Sequence, residues 1–244
     1  MKQNKYDDAG FFANYSRMPR STGGLDSAGE WPVFRGMLPE LRAKRVLDLG
    51  CGFGWHCRYA RERGALSVVG VDLSDHMLAR ARAMTNDPQI EYRRVAIEDI
   101  DFSEGQFDVV ISSLAFHYVE PFDRLCSQIY RYLAPGGTLV FSVEHPIFTA
   151  LPEQDWYYGS QGEKLHWPVD HYHIEGPRQA RFLDHDVTKY HRTVTTYLGS
   201  LIASGFRIEQ FSELKPTQDM LDQHPAWQEE TRRPMFLLMA ASKT

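Results

Sequence analysis

A glycine-rich turn followed by a separate aspartate is the first feature of the sequence that could do chemistry. The segment VLDLGCGFGW places Gly50, Gly52 and Gly54 directly after a predicted buried strand and before a predicted helix. Glycines there let a ligand approach the backbone closely, and the N–H groups at the start of the helix favour a negative charge. Asp72 ends the next predicted strand, where a carboxylate can accept both hydroxyls of a ribose. The pattern predicts a site for a nucleoside-containing ligand.

The residue after the turn narrows the choice of ligand. A dinucleotide fingerprint G-x-G-x-x-G needs glycine or alanine at position 55, and Trp55 occupies it, so nicotinamide binding is disfavoured. The alternative is an ordinary tight turn with a solvated aspartate. The strand before the turn and the helix after it favour the ligand site.

Three further side chains could move a proton or orient a group that does. Glu144 and His145 stand at the carboxyl end of the predicted fifth strand, and His117 lies just past the fourth. The carboxyl ends of the strands face the ligand crevice of an open α/β sheet, so we expect these titratable side chains to lie near the ligand. The alternatives are that Glu144 only orients His145 and that His117 packs beneath the next helix.

Histidines between positions 166 and 191 raise the question of a metal. In Asp170-His171-Tyr172-His173, alternation places the two histidines on one face of an extended segment. A metal needs a third ligand and a fixed geometry that this spacing does not supply, so we predict no metal site. Contact with a substrate and plain surface exposure are the alternatives for these side chains.

Composition limits the class of protein. The 244 residues are 43% hydrophobic, and 27 Lys and Arg stand against 32 Asp and Glu, for a net charge of −5. This acidic balance disfavours a nucleic-acid partner, which would want a basic excess. The longest apolar stretch, 235–241, is far too short for a membrane span, and the first residues lack a signal-peptide pattern. Three cysteines without a C-x-x-C pair fit reduced thiols, and we expect a cytoplasmic protein.

Short apolar runs alternate with amphipathic segments from position 45 onwards, which indicates βαβ units and a parallel sheet. The predicted strands are 46–49, 67–71, 90–96, 107–114, 138–143, 206–211 and 235–240. The predicted helices are 55–63, a helix capped by Ser74 and running to 84, 122–133 and 193–203. The last two strands are expected to pair like a hairpin. The stretch 146–190 is rich in proline, glycine and aromatic residues, shows no helical period, and is expected to be a structureless lid or binding element.

Taken together, these segments resemble the class I S-adenosylmethionine-dependent methyltransferases. The matching pieces are VLDLGCGFG, VVGVDLS, the pair Glu98-Asp99, FDVVISSLAFHYV and LAPGGTLVFSVEHP, which cover positions 45–146 in the family's order. The resemblance implies an α/β fold with a Rossmann-like, doubly wound seven-stranded sheet that has one antiparallel strand. It also implies S-adenosylmethionine as cofactor, lying across the carboxyl ends of the strands.

The resemblance and the chemistry of the cofactor suggest roles for individual residues. Asp72 would take the ribose, and Asp48 could face the ammonium group of the cofactor directly or through water. Asp99, preceded by Glu98, would bind the adenine amino group. The other residues expected at the cofactor are Leu73 and Met77 as apolar walls, Ser113 and Leu114 through their main chain, and Tyr15 in an N-terminal segment that folds over the ligand.

The chain is predicted to be a single methyltransferase domain, 1–244. Its parts are an N-terminal helical cap (1–44), a cofactor-binding core (45–145), an inserted lid (146–190) and a C-terminal helix with the last strands (191–244). We expect a small-molecule acceptor, because Ser112-Ser113-Leu114-Ala115 lacks the Asn-Pro-Pro-Tyr type of signature seen in enzymes that methylate amino groups of nucleic acid and protein. We also expect no nucleic-acid or membrane partner, and a monomer or homodimer. Aminopropyl transfer on the same fold and a non-catalytic sensor of the cofactor are the alternatives.

Overall fold

A seven-stranded mixed sheet forms the centre of the molecule. The computed structural model describes residues 3–244, apart from the side chain of residue 226. The order of the sheet strands is β10-β11-β5-β4-β1-β2-β3, and two separate two-stranded sheets pair β6 with β7 and β8 with β9. The strands are β1 (Arg45–Leu49), β2 (Ser67–Asp72), β3 (Ile90–Arg94), β4 (Phe107–Ser113), β5 (Leu133–Glu144), β6 (Tyr157–Tyr158), β7 (Lys164–His166), β8 (Gly176–Phe182), β9 (His185–His191), β10 (Phe206–Glu213) and β11 (Phe236–Lys243).

Helices connect the strands and cover the sheet. The α-helices are α1 (Ala9–Ser16), α2 (Pro19–Thr22), α3 (Trp31–Met37), α4 (Trp55–Glu62), α5 (Asp75–Ala83), α6 (Phe122–Tyr132), α7 (Pro146–Thr149), α8 (Val194–Ala203) and α9 (Gln218–Gln223). Short 3-10 helices span Lys5–Asp7, Gly24–Ser27, Ile97–Asp99, Phe116–Tyr118 and Pro225–Thr231. Within residues 3–244, the structure has no helix with both the length and the apolar character that crossing a bilayer requires.

The strand directions confirm the predicted sheet. β1 pairs in parallel with β2 and with β4, β2 with β3, and β4 with β5, whereas β11 runs antiparallel to both β5 and β10. The strand order reverses between β1 and β4, and a crevice at the carboxyl ends of the strands forms at such a switch point. The turns after β1, β2, β4 and β5 therefore converge on one edge of the sheet.

Alternation along the strands divides the core between the two faces of the sheet. Leu47 and Leu49 of β1 belong to one buried cluster with residues of α6 and α8, while Val46 belongs to a second cluster with residues of α3 and α4. Successive side chains of a strand point to opposite faces, so a strand covered on both sides must be apolar throughout. This two-sided burial fixes the strand ends that carry the site.

Most predicted elements of the core agree with the structure. Ser74 caps α5 as expected, because its side chain accepts the Met77 N–H at 3.1 Å. The predicted fifth strand is too short, since β5 already begins at Leu133 and includes the Ala134-Pro135-Gly136-Gly137 stretch, with Gly136 at a φ of 73°.

The expectation of a structureless segment over 146–190 is wrong. This segment, here called the insertion, contains α7, the short β6–β7 pair and the β8–β9 hairpin. Each strand of the hairpin has seven residues, and β9 ends one residue beyond the insertion. The turn of the long hairpin is Leu183-Asp184, with φ values of 51° and 65°. Two positive φ values are typical of a type I′ turn, which usually contains glycine or asparagine, so the sequence gives no clear turn signal here.

Candidate cofactor and acceptor site

A cavity of about 520 Å³ opens at the carboxyl ends of β1, β2, β4 and β5. Its walls also include residues of the N-terminal segment 3–28 and of the insertion. The volume lies within the range of small-molecule and cofactor sites. The sequence-predicted residues that line it are Tyr15, Gly50, Gly52, Asp72, Leu73, Met77, Glu98, Ser113, Leu114, His117 and Glu144.

The glycine turn and Asp72 are joined directly. The Gly52 N–H donates to Oδ2 of Asp72 at 2.9 Å, and the Ser74 N–H donates to Oδ1 at 2.9 Å. Burial raises the pKa of Asp72, although these N–H donors oppose the shift. Each carboxylate oxygen has a second lone pair, so Asp72 can still accept the two hydroxyls of a ribose.

The glycine turn leaves room for a ligand at one position in particular. Gly52 has a φ of 52°, and a Cβ built on it would meet one atom within 4 Å, the Cε of Met77 at 3.5 Å. Gly50, with a φ of 75°, is instead packed against Ala115, whose Cβ would lie 2.5 Å from an added Cβ. The backbone at Gly52 is therefore open for close approach, which fits the predicted cofactor contact.

Apolar side chains line the cavity beside Asp72. Leu73 and Met77 lie in its wall, as expected for the sides of an adenine pocket, and Ile97 lies there as well. Of the two predicted acids, Glu98 lines the cavity but Asp99 does not, so Asp99 is corrected to a position outside the wall. Both belong to one 3-10 helix, Ile97–Asp99, which turns successive side chains in different directions.

Leu114 holds an unusual backbone conformation in the cavity wall. Its φ is 53°, a value that costs a branched side chain about 1–2 kcal/mol. Its N–H donates to both the main-chain oxygen of Ser142, at 2.9 Å, and the Oγ of Ser142, at 3.1 Å. β5 thus fixes the peptide at the end of β4, where the main chain is predicted to meet the methionyl part of the cofactor.

Asp48 and Gly54 do not line the cavity. This corrects the expectation that Gly54 lies at the ligand. Of the two contacts expected for Asp48, the direct one is excluded and the one through water stays a prediction. Gly54, with a φ of 69°, begins α4 and packs against Tyr92, whose hydroxyl would lie 2.1 Å from an added Cβ. Asp48 is buried under the turn, where Cys57 Sγ donates to its Oδ2 at 3.2 Å. Its Oδ1 has no hydrogen-bond partner within residues 3–244, and burial raises its pKa to about 7.

The raised pKa of Asp48 predicts a pH-dependent cost to the unliganded protein. The folded protein holds the Asp48 proton more tightly than the unfolded chain, so this residue's contribution to stability falls as pH rises from about 4 to about 7. The full effect amounts to about 4 kcal/mol. We measure the free energy of unfolding of Asp48→Asn and of the unsubstituted protein by denaturant titration at pH 5 and at pH 8. We expect the difference between the two proteins to shift in favour of Asp48→Asn at pH 8. An equal difference at both pH values, matching the exposed control Asp101→Asn, would contradict this explanation.

His145 does not face the cavity, so the prediction that it acts there as a base with Glu144 is wrong in its geometry. The ring is buried and caps α7, with Nδ1 accepting the Ile147 N–H at 3.0 Å. Its Nε2 lies 2.9 Å from Oε1 of Glu213 on β10. Both ring nitrogens are therefore engaged away from the ligand, because the chain turns into α7 directly after β5.

We expect His145→Ala to affect stability rather than chemistry. Loss of the cap and of the Glu213 contact should lower the free energy of unfolding by about 1–2 kcal/mol. Single-turnover methyl transfer should stay within about twofold of the unsubstituted rate. A tenfold slower chemical step with unchanged stability would contradict this expectation and would show that His145 takes part in the reaction.

Four side chains form a polar cluster at the end of the cavity near β5. Lys189 Nζ donates to Oε1 of Glu144 at 2.7 Å and to Oε1 of Gln154 at 2.8 Å. Gln154 Nε2 donates to the other oxygen of Glu144 at 2.9 Å, and the Glu144 N–H donates to Nδ1 of His117 at 3.3 Å. All four line the cavity. The name polar cluster refers below to His117, Glu144, Gln154 and Lys189.

Electrostatics fix the protonation states in the polar cluster. Burial would raise the pKa of Glu144, but the nearby His117 and Lys189 outweigh it, and the pKa lies below its ordinary value. Burial lowers the pKa of His117 to about 4, so its ring is neutral near pH 7. Because Nδ1 of His117 accepts a main-chain N–H, the ring proton belongs on Nε2. Neither group has the pKa of an efficient base at neutral pH.

Lys189 and Gln154 were missing from the sequence prediction. Lys189 lies in the middle of β9, where Val187, Lys189 and His191 point to the buried side of the hairpin. The alternation of these three positions along the strand was the sequence signal that could have indicated an inward-facing Lys189. Gln154 lies between α7 and β6, in irregular chain with a φ of 48°, and no local pattern marks it.

Residues of the N-terminal segment 3–28 form another part of the cavity wall. Arg20 lines the cavity and forms a partly buried ion pair with Glu30, while Tyr6 packs edge-on against Tyr15 with ring centroids 5.2 Å apart. Asp7 accepts the Ser74 hydroxyl at 2.5 Å and so binds this segment to the loop that carries Asp72. Tyr15 lies in the cavity wall, and its contact with the ligand stays a prediction.

The histidines of the insertion are dispersed. His191 is buried between the Thr149 hydroxyl, at 2.8 Å, and the main-chain oxygen of Tyr172, at 2.8 Å. His171 is exposed, beside Asp170. In the described part of the chain, 3–244, His, Cys, Asp and Glu form no group of three that could hold a metal ion.

Comparison with known proteins gives matches over the whole chain. A family model described as a methyltransferase domain matches residues 47–141. A structure from Mesorhizobium loti, an S-adenosylmethionine-dependent methyltransferase, is 48% identical with a TM-score of 0.86 and covers 90% of this chain and 100% of that chain. A Listeria monocytogenes structure assigned to the same class is 51% identical, with a TM-score of 0.86, and covers 91% of this chain and 99% of that chain.

Curated relatives differ in their acceptors. An uncharacterized protein of Haemophilus influenzae is 36% identical over 253 residues, 99% of this chain and 98% of that protein. A malonyl-[acyl-carrier protein] O-methyltransferase of Enterobacter lignolyticus is 38% identical over 129 residues, 53% of this chain and 49% of that protein. A tRNA U34 carboxymethyltransferase of Alcanivorax borkumensis is 33% identical over 135 residues, 52% of this chain and 42% of that protein.

Proposed function

The chain belongs to the S-adenosylmethionine-dependent methyltransferases, and we propose that it methylates a small molecule bound in the cavity at the polar cluster. The observation that carries this proposal is the arrangement of the cavity. The glycine turn and Asp72 lie at one end, and four interlinked polar side chains lie at the other. One cavity could therefore hold a cofactor and an acceptor side by side.

The residues present fit the cofactor at the first end. Asp72 is proposed to bind the ribose hydroxyls, Gly52 to allow close approach of the backbone, and Leu73 and Met77 to contact the adenine. Glu98 is proposed to take the polar edge of the adenine in place of Asp99. Support comes from their shared position in the cavity wall and from the open space above Gly52.

Alignment is the main task left to the protein. The bound cofactor supplies a methyl group activated on a positively charged sulfur. The chain must hold an acceptor in line with that group and exclude water. His117 and Glu144 are proposed to orient the acceptor rather than to remove its proton, since the pKa of each lies below the range of a base that works at neutral pH.

A small-molecule acceptor fits the enclosure of the site better than a nucleic acid. Residues of the N-terminal segment and of the insertion wall the cavity, and we propose that they cover the bound ligands as a cap and a lid. The charged residues at its walls include compensated pairs, Arg20 with Glu30 and Lys189 with Glu144. The net charge of −5 also offers no excess of basic residues for a phosphate backbone.

The experiment supplies methyl-labelled S-adenosylmethionine with a low-molecular-weight cell extract, total tRNA or total protein in separate reactions. The proposal predicts label only in the low-molecular-weight products. Label in tRNA or protein would overturn the small-molecule acceptor. Tight binding of S-adenosylhomocysteine without transfer to any of the three would favour a sensor of the cofactor instead.

A further inference from the structure

The polar cluster offers hydrogen-bond donors to a ligand. A lysine ammonium has three N–H groups, and two of those on Lys189 are used by Glu144 and Gln154. The third has no hydrogen-bond partner within residues 3–244. His117 carries its proton on Nε2, because Nδ1 accepts the Glu144 N–H, and Nε2 has no hydrogen-bond partner in that part of the chain either.

Two neighbouring phenols add a further donor. The Tyr6 and Tyr118 side chains both line the cavity. A phenol hydroxyl in the cavity wall can donate one hydrogen bond to a ligand. The His117 ring lies against Tyr118 with centroids 4.4 Å apart, which places this donor next to the polar cluster.

The only carboxylate of the polar cluster, Glu144, already has hydrogen-bond donors and a positive charge beside it. Both oxygens of Glu144 accept hydrogen bonds from Lys189 and Gln154, and its charge is paired with Lys189. An ammonium acceptor that approached Glu144 would meet the Lys189 ammonium and the sulfonium of the cofactor. An oxygen anion would meet the positive charge of the sulfonium and the unused hydrogen-bond donors of Lys189 and His117.

We propose that the acceptor is bound and methylated as an oxygen anion, a carboxylate or a phenolate, that accepts hydrogen bonds from Lys189 and His117. This inference rests on the proposed function. A lone pair of the oxygen forms the new O–CH₃ bond while the C–S bond breaks, and the electron pair of that bond stays on sulfur. The products are a neutral methyl ester or ether and the thioether S-adenosylhomocysteine. The acceptor has no proton to lose, which agrees with the lack of an efficient base near neutral pH.

Matched aromatic probes test this inference on the full-length protein saturated with S-adenosylhomocysteine. Ligand-observed NMR gives the affinities of benzoate, 4-nitrophenolate and benzylamine, which share a ring but differ in charge. We expect at least one of the two anions to bind tenfold or more tightly than benzylamine. The tighter anion identifies the carboxylate or the phenolate as the acceptor type. Benzylamine binding as tightly as both anions would overturn the proposal.

The double variant Glu144→Gln/Lys189→Gln removes both charges of the pair, so it leaves no unpaired buried charge. We expect the double variant to bind the preferred anion about tenfold more weakly. Removing the negative charge of Glu144 would by itself strengthen anion binding, so the loss is due to Lys189. Arg207→Gln removes an exposed positive charge on β10, outside the cavity wall, and should change that affinity less than threefold. Affinity for the anion within twofold of the unsubstituted protein in the double variant would overturn the role of Lys189.

Binding of S-adenosylhomocysteine to each variant is measured first. An unchanged affinity shows that the variant is folded and that its cofactor end is intact. If the unsubstituted protein fails to bind S-adenosylhomocysteine, the proposed function fails. The probe affinities can be measured without S-adenosylhomocysteine, so a preference for benzylamine there would reject the anion inference separately.

Discussion

Replacing Asp72 with alanine is expected to weaken the binding of S-adenosylmethionine by about 30-fold to 1,000-fold. The carboxylate lies in the cavity wall and is oriented by the Gly52 and Ser74 N–H groups. Its hydrogen bonds to ribose hydroxyls involve a charged acceptor and are worth about 2–4 kcal/mol together. Isothermal titration calorimetry with S-adenosylmethionine and S-adenosylhomocysteine measures the effect directly.

Asp75→Ala is the matched control for this change. Asp75 lies three positions further along, at the start of α5, and its exposed side chain pairs with Arg94 outside the cavity. Its replacement should leave the affinity within about twofold. Unchanged affinity in a folded Asp72→Ala protein would remove Asp72 from the cofactor site.

Gly52→Val is expected to abolish detectable cofactor binding. A valine side chain would project from the turn into the cavity, where only Met77 Cε lies near the position of the new Cβ. It would fill space that the cofactor needs, and a β-branched residue at a φ of 52° adds backbone strain of about 1–2 kcal/mol. Thermal shift with and without S-adenosylhomocysteine should show a stabilised unsubstituted protein and an unresponsive variant.

Gly36→Val controls for the addition of a valine side chain. A Cβ on Gly36, in α3, would meet no atom within 4 Å. This variant should keep the full thermal response to S-adenosylhomocysteine. A normal response in Gly52→Val would show that the cofactor does not approach the backbone at the glycine turn.

The core of the fold was predictable because its signals are local. In the β1 strand and the glycine turn, a buried run, three glycines and a helix succeed one another within 20 residues, and packing on both sheet faces requires that pattern. The β8–β9 hairpin was not predictable in the same way. Its strands carry mostly polar residues, and its turn, Leu183-Asp184, reaches positive φ without glycine.

The candidate site was predictable on its cofactor side and less so at the other end. Asp72 and Gly52 are set by the ends of adjacent parallel strands, whereas Lys189 reaches Glu144 from a hairpin 45 positions away in sequence. The direction of a side chain at the end of a strand also depends on the element that comes next in the chain. Pro146 begins α7 and turns His145 into its cap, a signal that stood in the sequence next to the predicted base.

A crystal structure of the protein with bound S-adenosylhomocysteine is the most direct test of the proposed site. We expect the ribose hydroxyls within hydrogen-bond distance, about 3 Å, of Asp72 and the main chain of Gly52 against the ligand. The sulfur should face the polar cluster around Glu144 and Lys189. A ligand bound outside this cavity, or one whose sulfur points away from the polar cluster, would contradict the central claim that one cavity aligns cofactor and acceptor.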